Sequence, residues 1–214
     1  MLTTDEIRWF FTDMIPSAVL DWFRDGVPIS PAPGRTDIYL PLPASLELGI
    51  KLREGRLEIK TQSGPSRQVA YPNGVTGRAA LWKKEAVRSD LVSDIESRLA
   101  HPSALSVLKQ RYLRKFSLQG GRPVEITTAS APRQGCFLEL AQLWLDDIPS
   151  WTIALEAIGA PAPLAGNLAE TAAHIFGQSP CPAPLKAETC ASYPEWLPLQ
   201  RRTGAPATAG SRRS

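Results

Sequence analysis

The sequence predicts an α+β protein in which an antiparallel sheet or barrel carries two or three added helices. At least six segments have the composition and alternation of strands, and the short connections between them favour antiparallel pairing. Strands and helices do not alternate regularly along the chain, as they do in parallel-sheet proteins. The length of 214 residues and the 43% hydrophobic fraction allow one domain with a sizeable core, which we place at residues 1–200.

The first elements are two strands separated by a helix. In residues 5–11, apolar Ile7 and Trp9 alternate with Glu6 and Arg8, which predicts a strand. Residues 16–26 begin with Pro, end with Gly and carry apolar residues at helical spacing. Residues 36–42 follow a proline-rich turn and are predicted to form a short strand.

A hairpin is predicted at residues 48–60, turning at Glu54-Gly55. Its alternation separates an apolar face from a charged face, because successive side chains of a strand point to opposite sides. The charged face consists of Lys51, Arg53, Arg56, Glu58 and Lys60. This mostly basic face is either turned to water or lines a site that binds an anion.

The second half of the chain combines strands with two helices. Residues 78–87 are compatible with a strand, and residues 89–113 have a helical stripe that His101-Pro102 breaks or kinks. Three further strands are expected at 124–129, 135–145 and 150–159, and one further helix at 167–178. A terminal segment at 192–200 is expected to pack through Trp196.

The basic isoelectric point of about 8.9 comes from the end of the chain. Residues 201–214 contain four arginines and no acidic residue, so the remaining residues carry a formal charge of about −1. The segment is rich in Gly, Pro, Ala and Ser, which predicts a disordered arginine-rich tail. Its expected role is at most a weak, nonspecific contact with nucleic acid.

Several other classes of protein have little support in the sequence. No stretch approaches the roughly 20 apolar residues of a membrane span, and the first residues lack the pattern of a secretory signal, so a cytoplasmic protein without a membrane partner is expected. The three cysteines are widely spaced, which argues against disulfides and structural zinc. The sequence contains no P-loop, dinucleotide, nucleophile-elbow, zincin or EF-hand motif.

Two carboxylates stand out because their strand neighbours are apolar or small. Glu139 and Glu156 lie in the strands predicted at 135–145 and 150–159. A carboxylate buried in such a setting needs a cation, an arginine or a metal ion as its partner.

Together these features resemble the CYTH family, the triphosphate tunnel metalloenzymes, over about residues 5–177. The basic strand and returning lysine of that family are matched by Lys51, Arg53 and Lys60. A late strand with a glutamate is matched around Glu139. The first-strand pattern E-x-E-x-K is retained only at its first position, because Arg8 replaces the second acid and Phe10 the lysine.

The resemblance implies a tunnel-like antiparallel β-barrel with two to three helices outside and a charged lumen that binds a phosphate-bearing small anion. Implied phosphate ligands are Arg8, Lys51, Arg53 and Lys60, and implied ligands for Mg²⁺ or Mn²⁺ are Glu6, Glu58, Glu139 and Glu156. Two functions follow: metal-dependent hydrolysis of a triphosphate, or binding or scaffolding by the same barrel without catalysis. The altered first strand lacks one carboxylate and one lysine of that pattern, which removes part of a metal site and one phosphate contact, and both functions stay open.

Overall fold

The computed structural model describes residues 2–26, 28–88, 104–118, 120–127 and 130–203. Ten strands lie in these ranges: β1 (Leu2–Thr12), β2 (Arg35–Leu40), β3 (Leu48–Arg53), β4 (Arg56–Gln62), β5 (Arg67–Tyr71), β6 (Val75–Arg88), β7 (Leu105–Ser117), β8 (Val124–Ile126), β9 (Gly135–Leu145) and β10 (Ile148–Ile158). Three helices accompany them: α1 (Ser17–Arg24), α2 (Leu164–Gln178) and α3 (Tyr193–Thr203).

Eight of these strands form a closed antiparallel barrel. Their order around the barrel is β1, β10, β9, β7, β2, β3, β4 and β6, and β6 pairs again with β1 to complete the ring. Strands β5 and β8 extend β6 and β7 without entering the ring. The predicted fold class, an antiparallel barrel with two to three helices outside, is confirmed.

Strand β6 closes the barrel because it is long enough to pair with three other strands. Its first residues, Val75 to Ala79, pair with β5. Ala80 to Lys84 then pair with β1, and Trp82 to Arg88 pair with β4 on the other edge. With both edges of this strand occupied, the ring has no open seam between β1 and β4.

Two tight turns set the register of the two main hairpins. Glu54 and Gly55 both have positive φ, of 49° and 68°, as a type I′ turn requires, and Arg53 pairs with Arg56 across it. Asp146 and Asp147 do the same between β9 and β10. The second hairpin therefore has a two-residue turn, and Ile148 and Pro149, which lie between the strands predicted at 135–145 and 150–159, belong to β10.

The larger core lies outside the barrel, under α1 and α2. Ile7 and Trp9 of β1 are buried there, as their alternation predicts. Phe176 of α2 meets the Trp9 ring edge-on at a centroid distance of 6.2 Å, and Phe23 of α1 meets Tyr112 of β7 at 6.3 Å. Glu6 and Arg8, which alternate with these apolar residues, are thereby directed to the opposite face, into the lumen.

Helix α3 covers the end of the barrel at which β9 turns into β10. Its Trp196 and Leu197 are buried against a second apolar cluster that includes Phe10, Val107 and Leu143. The Trp196 ring stacks on Phe10 at 4.7 Å. Phe10 shares a strand face with Glu6 and Arg8, so this cluster fills the lumen end that the charged residues leave free.

The prediction of a helix over residues 89–113 was wrong in its second part. Residues 105–113 belong to β7, which pairs with β2 and β9 along its length, and this sheet pairing outweighs the apolar spacing that suggested a helix. The first part, 89–103, lies outside the described residues. Gly and Pro residues in the segment 63–77 predict that it holds no long element, and the five-residue strand β5 lies within it.

Three further expectations concern the tail, the cysteines and membrane spans. Helix α3 continues to Thr203, and residues 204–214, most of the predicted tail, lie outside the described residues. Cys136, Cys181 and Cys190 are free thiols, as expected. Within the described part of the chain, no helix has the length and apolar character needed to cross a membrane.

If α3 is anchored in the lumen through its aromatic residue, Trp196→Ala should lower the free energy of unfolding by about 3–5 kcal/mol, the usual cost of deleting a large buried aromatic side chain. Trp196 is only 6% exposed. Urea denaturation would measure the change. Leu199→Ala, on the same helix but 55% exposed, is the matched control and should have little effect. Equal, small effects of the two substitutions would contradict the packing of α3 against Phe10.

Candidate functional site

The lumen holds a cavity of about 220 Å³ whose wall is formed by strands of the barrel and by the segment leading into α3. All eight residues expected at the site from sequence line it: Glu6, Arg8, Lys51, Arg53, Glu58, Lys60, Glu139 and Glu156. Four of the five residues of the charged face of the 48–60 hairpin, all except Arg56, thus line a concavity. On the opposite face Leu52 is buried, while Ile50 and Ile59 are half-buried.

Positive charge dominates the cavity wall. Among the described residues that line it, nine are Lys or Arg and five are Glu. A wall of this composition attracts anions more strongly in a cavity than the same charges would on an open surface.

Glu58 of β4 is the centre of one ionic cluster. Its carboxylate is 2.8 Å from Arg53 Nη2 and 3.2 Å from the Nζ atoms of both Lys51 and Lys84. Burial alone would raise the pKa of Glu58, but the three surrounding cations lower it. Glu58 is therefore ionised at neutral pH, and one negative charge is shared by three positive charges.

Asp37 of β2 is the centre of a second cluster. The fully buried carboxylate lies 3.2 Å from Lys109 Nζ, 3.3 Å from Lys51 Nζ and 3.3 Å from Arg35 Nε. Burial opposes ionisation of Asp37, yet the neighbouring cations hold its pKa well below the ordinary range. Lys51 belongs to both clusters and joins them.

Glu139 of β9 has two arginines as partners. Arg8 Nη1 donates to one carboxylate oxygen at 2.9 Å and Arg111 Nη1 donates to the other at 2.9 Å. Arg8 also donates to Thr152 Oγ1 at 2.8 Å. Burial by itself would raise the pKa of Glu139, but Arg8 and Arg111 bring it down to about 2. The partner that the sequence requires for Glu139 is arginine.

Glu6 and Glu156 lie directly opposite each other on β1 and β10. Lys60 donates to both oxygens of Glu6, and Thr4 Oγ1 adds a hydrogen bond of 2.6 Å. No ion pair or side-chain hydrogen bond to the Glu156 carboxylate occurs among the described residues. Burial, together with the negative charge of Glu6, raises the pKa of Glu156 to about 7. Half of the Glu156 carboxyls are thus neutral near neutral pH.

Two lysines of the lumen have pKa values below the ordinary lysine value. Burial lowers the pKa of Lys109 to about 8, with the Arg8 charge contributing, and burial and the Lys109 charge lower that of Lys51 to about 8. Both shifts persist although each lysine lies beside Asp37. The nearby carboxylate of Asp37 therefore does not fully offset the effect of burial on these two lysines.

The four glutamates expected to bind metal do not converge on one point. The described residues contain no group of three or more His, Cys, Asp or Glu side chains that could hold a metal ion. The carboxylates of Glu6, Glu58 and Glu139 are each occupied by lysine or arginine, and only Glu156 is without such a partner. This donor set does not fit a Mg²⁺ or Mn²⁺ site. Metal binding stays a prediction that is not tested.

Sequence reasoning missed several lumen residues: Arg35, Asp37, Arg78, Lys84, Lys109, Arg111 and Tyr193. The alternation of Arg35, Asp37 and Tyr39 in β2 is a signal that could have identified the first two. Lys109 and Arg111 were hidden because their segment was interpreted as a helix. Tyr193 enters the lumen through the position of α3, which no local pattern indicates.

If Glu139 is stabilised by its arginines, Arg8→Met should lower the free energy of unfolding at pH 7 by up to about 3 kcal/mol, the lower end for breaking a buried ion pair. Because the folded-state pKa of Glu139 is lowered to about 2, its ionised form stabilises the fold above its ordinary pKa of 4.5, and this contribution is lost as pH falls toward 2. In the variant Glu139 becomes neutral at a higher pH, so the deficit should shrink at pH 4.

Urea denaturation of both proteins at pH 7 and pH 4 would measure this difference. Lys83→Met, which removes an exposed lysine of β6, is the control and should change stability little at either pH. A deficit for Arg8→Met that is the same at both pH values would show that the arginine acts through packing rather than through its charge.

No protein-family model matches this sequence, and no curated protein matches it. Among solved structures, it is similar to a protein from Pyrococcus horikoshii at 14% identity, with 92% of this chain and 99% of that one covered and a TM-score of 0.46. A conserved hypothetical protein from Pyrococcus furiosus matches at 12% identity, with 89% and 98% covered and a TM-score of 0.41. A chain of the Schizosaccharomyces pombe Mediator head module matches at 8% identity, with 83% and 92% covered and a TM-score of 0.45. At TM-scores below 0.5 and identities of 14% or less, these likenesses carry no conclusion about function.

Proposed function

We propose that the barrel lumen binds a small phosphate-bearing anion and that binding does not depend on a metal ion. The observation that carries this proposal is the charge of the cavity wall, where nine Lys or Arg side chains face five Glu among the described residues. Burial is the main cause of the lowered lysine pKa values in the same cavity, and neighbouring positive charges add to it, so keeping both lysines protonated costs free energy in the empty site. A bound anion removes that cost, because it supplies the missing negative charge.

The phosphate groups are expected to contact the cluster around Glu58. Lys51, Arg53 and Lys84 share a single carboxylate there, and the Nε atom of Arg53 is buried without a hydrogen-bond partner. Phosphate oxygens accept charge-assisted hydrogen bonds from such side chains, and arginine can engage two oxygens at once. This cluster is therefore the best supported place for a phosphate group.

The size of the cavity limits the ligand. Its volume of about 220 Å³ is below the roughly 300–1,000 Å³ of pockets for drug-sized molecules. A compact anion such as a short phosphate chain suits this space better than a larger conjugate. Nucleic-acid contact through the arginine-rich tail stays a separate prediction, because that segment lies almost entirely outside the described residues.

Hydrolysis of the bound anion is the second candidate function, and Glu156 is the observation in its favour. A carboxyl group with a pKa of about 7 and no ion pair has the properties of a general base near neutral pH. Against hydrolysis through a metal, three of the four expected glutamate ligands already bind cations of the protein. We therefore favour binding without metal-dependent turnover.

The proposal predicts that Lys51→Ala together with Arg53→Ala weakens tripolyphosphate binding by at least about 100-fold, since each charge-assisted contact contributes roughly 1.5–3 kcal/mol. Stability should change little, because Glu58 retains Lys84 and Asp37 retains Lys109. Isothermal titration calorimetry with and without Mg²⁺, combined with a phosphate-release assay, would measure binding and turnover. Lys83→Ala is the control for a lysine outside the cavity.

Three outcomes are informative. Binding by the wild-type protein without phosphate release, equal with and without Mg²⁺, supports the proposal. Phosphate release that requires Mg²⁺ selects the hydrolase instead. Absence of binding in the wild type contradicts both functions and leaves the ionic clusters as structural elements of the barrel.

A second prediction concerns pH. Affinity for tripolyphosphate should fall as pH rises from 7 to 9.5, because Lys51 and Lys109 lose their protons around pH 8. The stability of the free protein should respond in the opposite direction. A folded-state pKa below the ordinary lysine value means that the unfolded chain binds more protons between pH 8 and 10.5, so these two lysines contribute increasing stability across that range.

Calorimetric titrations and urea denaturation at pH 7, 8 and 9.5 would test both trends. The double variant Lys51→Ala/Arg53→Ala keeps only the part of the pH dependence that comes from Lys109. Affinity that stays constant across this range would rule out a role for the two lysines in holding the anion.

A further inference from the structure

Tyr193, the first residue of α3, places a phenol in the charged lumen. Its ring lines the cavity and stacks on Tyr39 at a centroid distance of 5.2 Å. Lys109 Nζ lies 3.8 Å from the centre of the Tyr193 ring, and the guanidinium of Arg8 lies 5.0 Å from it. The Tyr193 ring is thus in contact with one aromatic and two cationic side chains of the barrel wall: Tyr39, Lys109 and Arg8.

The hydroxyl of Tyr193 is buried and has no hydrogen-bond partner among the described residues. This is unusual, because a buried hydroxyl without a partner costs roughly 1–3 kcal/mol. Tyr39 shows the contrast, since its hydroxyl accepts a hydrogen bond from Lys109 and donates one to Asp37. The fold therefore satisfies one phenol of this pair and leaves the other unsatisfied.

Burial and several charged side chains of the lumen affect the pKa of the Tyr193 hydroxyl. Burial is the main reason that the pKa of Tyr193 is raised to about 12, and the group remains a hydrogen-bond donor at neutral pH. The charged side chains that contribute to this value are Arg8, Glu139, Asp37 and Lys51. Asp37 and Lys51 form an ion pair with each other, and so do Arg8 and Glu139.

We propose that Tyr193 is a ligand-binding residue whose hydroxyl donates a hydrogen bond to an oxygen of the bound phosphate-bearing anion. This inference rests on the proposed function and adds to it a contact from outside the barrel strands. The ligand supplies the acceptor that the protein lacks, and Arg8 and Lys109 supply the adjacent positive charge. Helix α3 then has a second role beyond covering the barrel end, because it delivers a donor to the site.

Tyr193→Phe tests the inference, since it removes the hydroxyl and keeps the ring that packs against Lys109 and Tyr39. We expect tripolyphosphate affinity to fall about 10-fold or more, the effect of losing one hydrogen bond to a charged group. Thermal unfolding of the free variant should be unchanged or slightly higher in temperature, because an unsatisfied buried hydroxyl is lost. Calorimetric titration and thermal denaturation of the full chain measure the two quantities.

Two matched variants separate binding from structure. Tyr112→Phe removes a phenol hydroxyl in the outer core, away from the cavity, and should leave affinity unchanged. Tyr39→Phe removes a hydroxyl that is fully hydrogen-bonded and should lower the unfolding temperature. Loss of affinity in Tyr193→Phe with no loss of stability is the result that only a ligand contact explains.

The outcomes distinguish this inference from the proposed function. If the wild type binds tripolyphosphate and Tyr193→Phe binds equally well, Tyr193 is not a ligand contact and its hydroxyl is satisfied by water instead. If Tyr193→Phe loses stability as Tyr39→Phe does, its role is structural. If the wild type binds no tripolyphosphate, the proposed function fails and this inference fails with it.

Discussion

The buried carboxylates of Asp37, Glu58 and Glu139 are the condition on which the charged lumen depends. Each holds two or three lysine or arginine side chains within 3.3 Å. Without these carboxylates the cations lining the cavity would repel one another, and the repulsion would be strong because the dielectric constant there is lower than in water. This repulsion would destabilise the barrel. With them, the cations are fixed in position and their charge is reduced but not cancelled. The anion binding proposed for this lumen rests on the positive charge that remains.

Two residues of β1 determine the charge of the lumen and the closure of one end of it. Arg8 binds Glu139, so the buried carboxylate of β9 has a protein cation as its partner. Phe10 stacks on Trp196 of α3, and this contact holds the helix over one end of the barrel. Both side chains lie on the same strand face as Glu6, because they are separated from it by two and four residues.

The sequence was most informative where periodicity alone determines the structure. The two-residue period of 48–60 identified both the hairpin and the side of it that faces the cavity, and the apolar context of Glu139 showed that it needs a cationic partner. The sequence was least informative in β7, because Leu105, Leu108 and Tyr112 also fit helical spacing and only pairing with β2 and β9 decides the outcome. Asp37 was overlooked although its alternation was visible. The entry of Tyr193 into the lumen depends on tertiary packing.

The pairing of β1 also has a consequence for how the chain reaches its native state. Glu6 is hydrogen-bonded into the sheet beside Glu156, about 150 positions later, and such distant contacts are associated with slow folding. Until β10 and β6 pair with it, both edges of β1 are open to pairing with another chain, and its aromatic residues are still exposed. Partly folded chains with these features associate with one another. Association between chains is therefore expected to compete with closure of the ring.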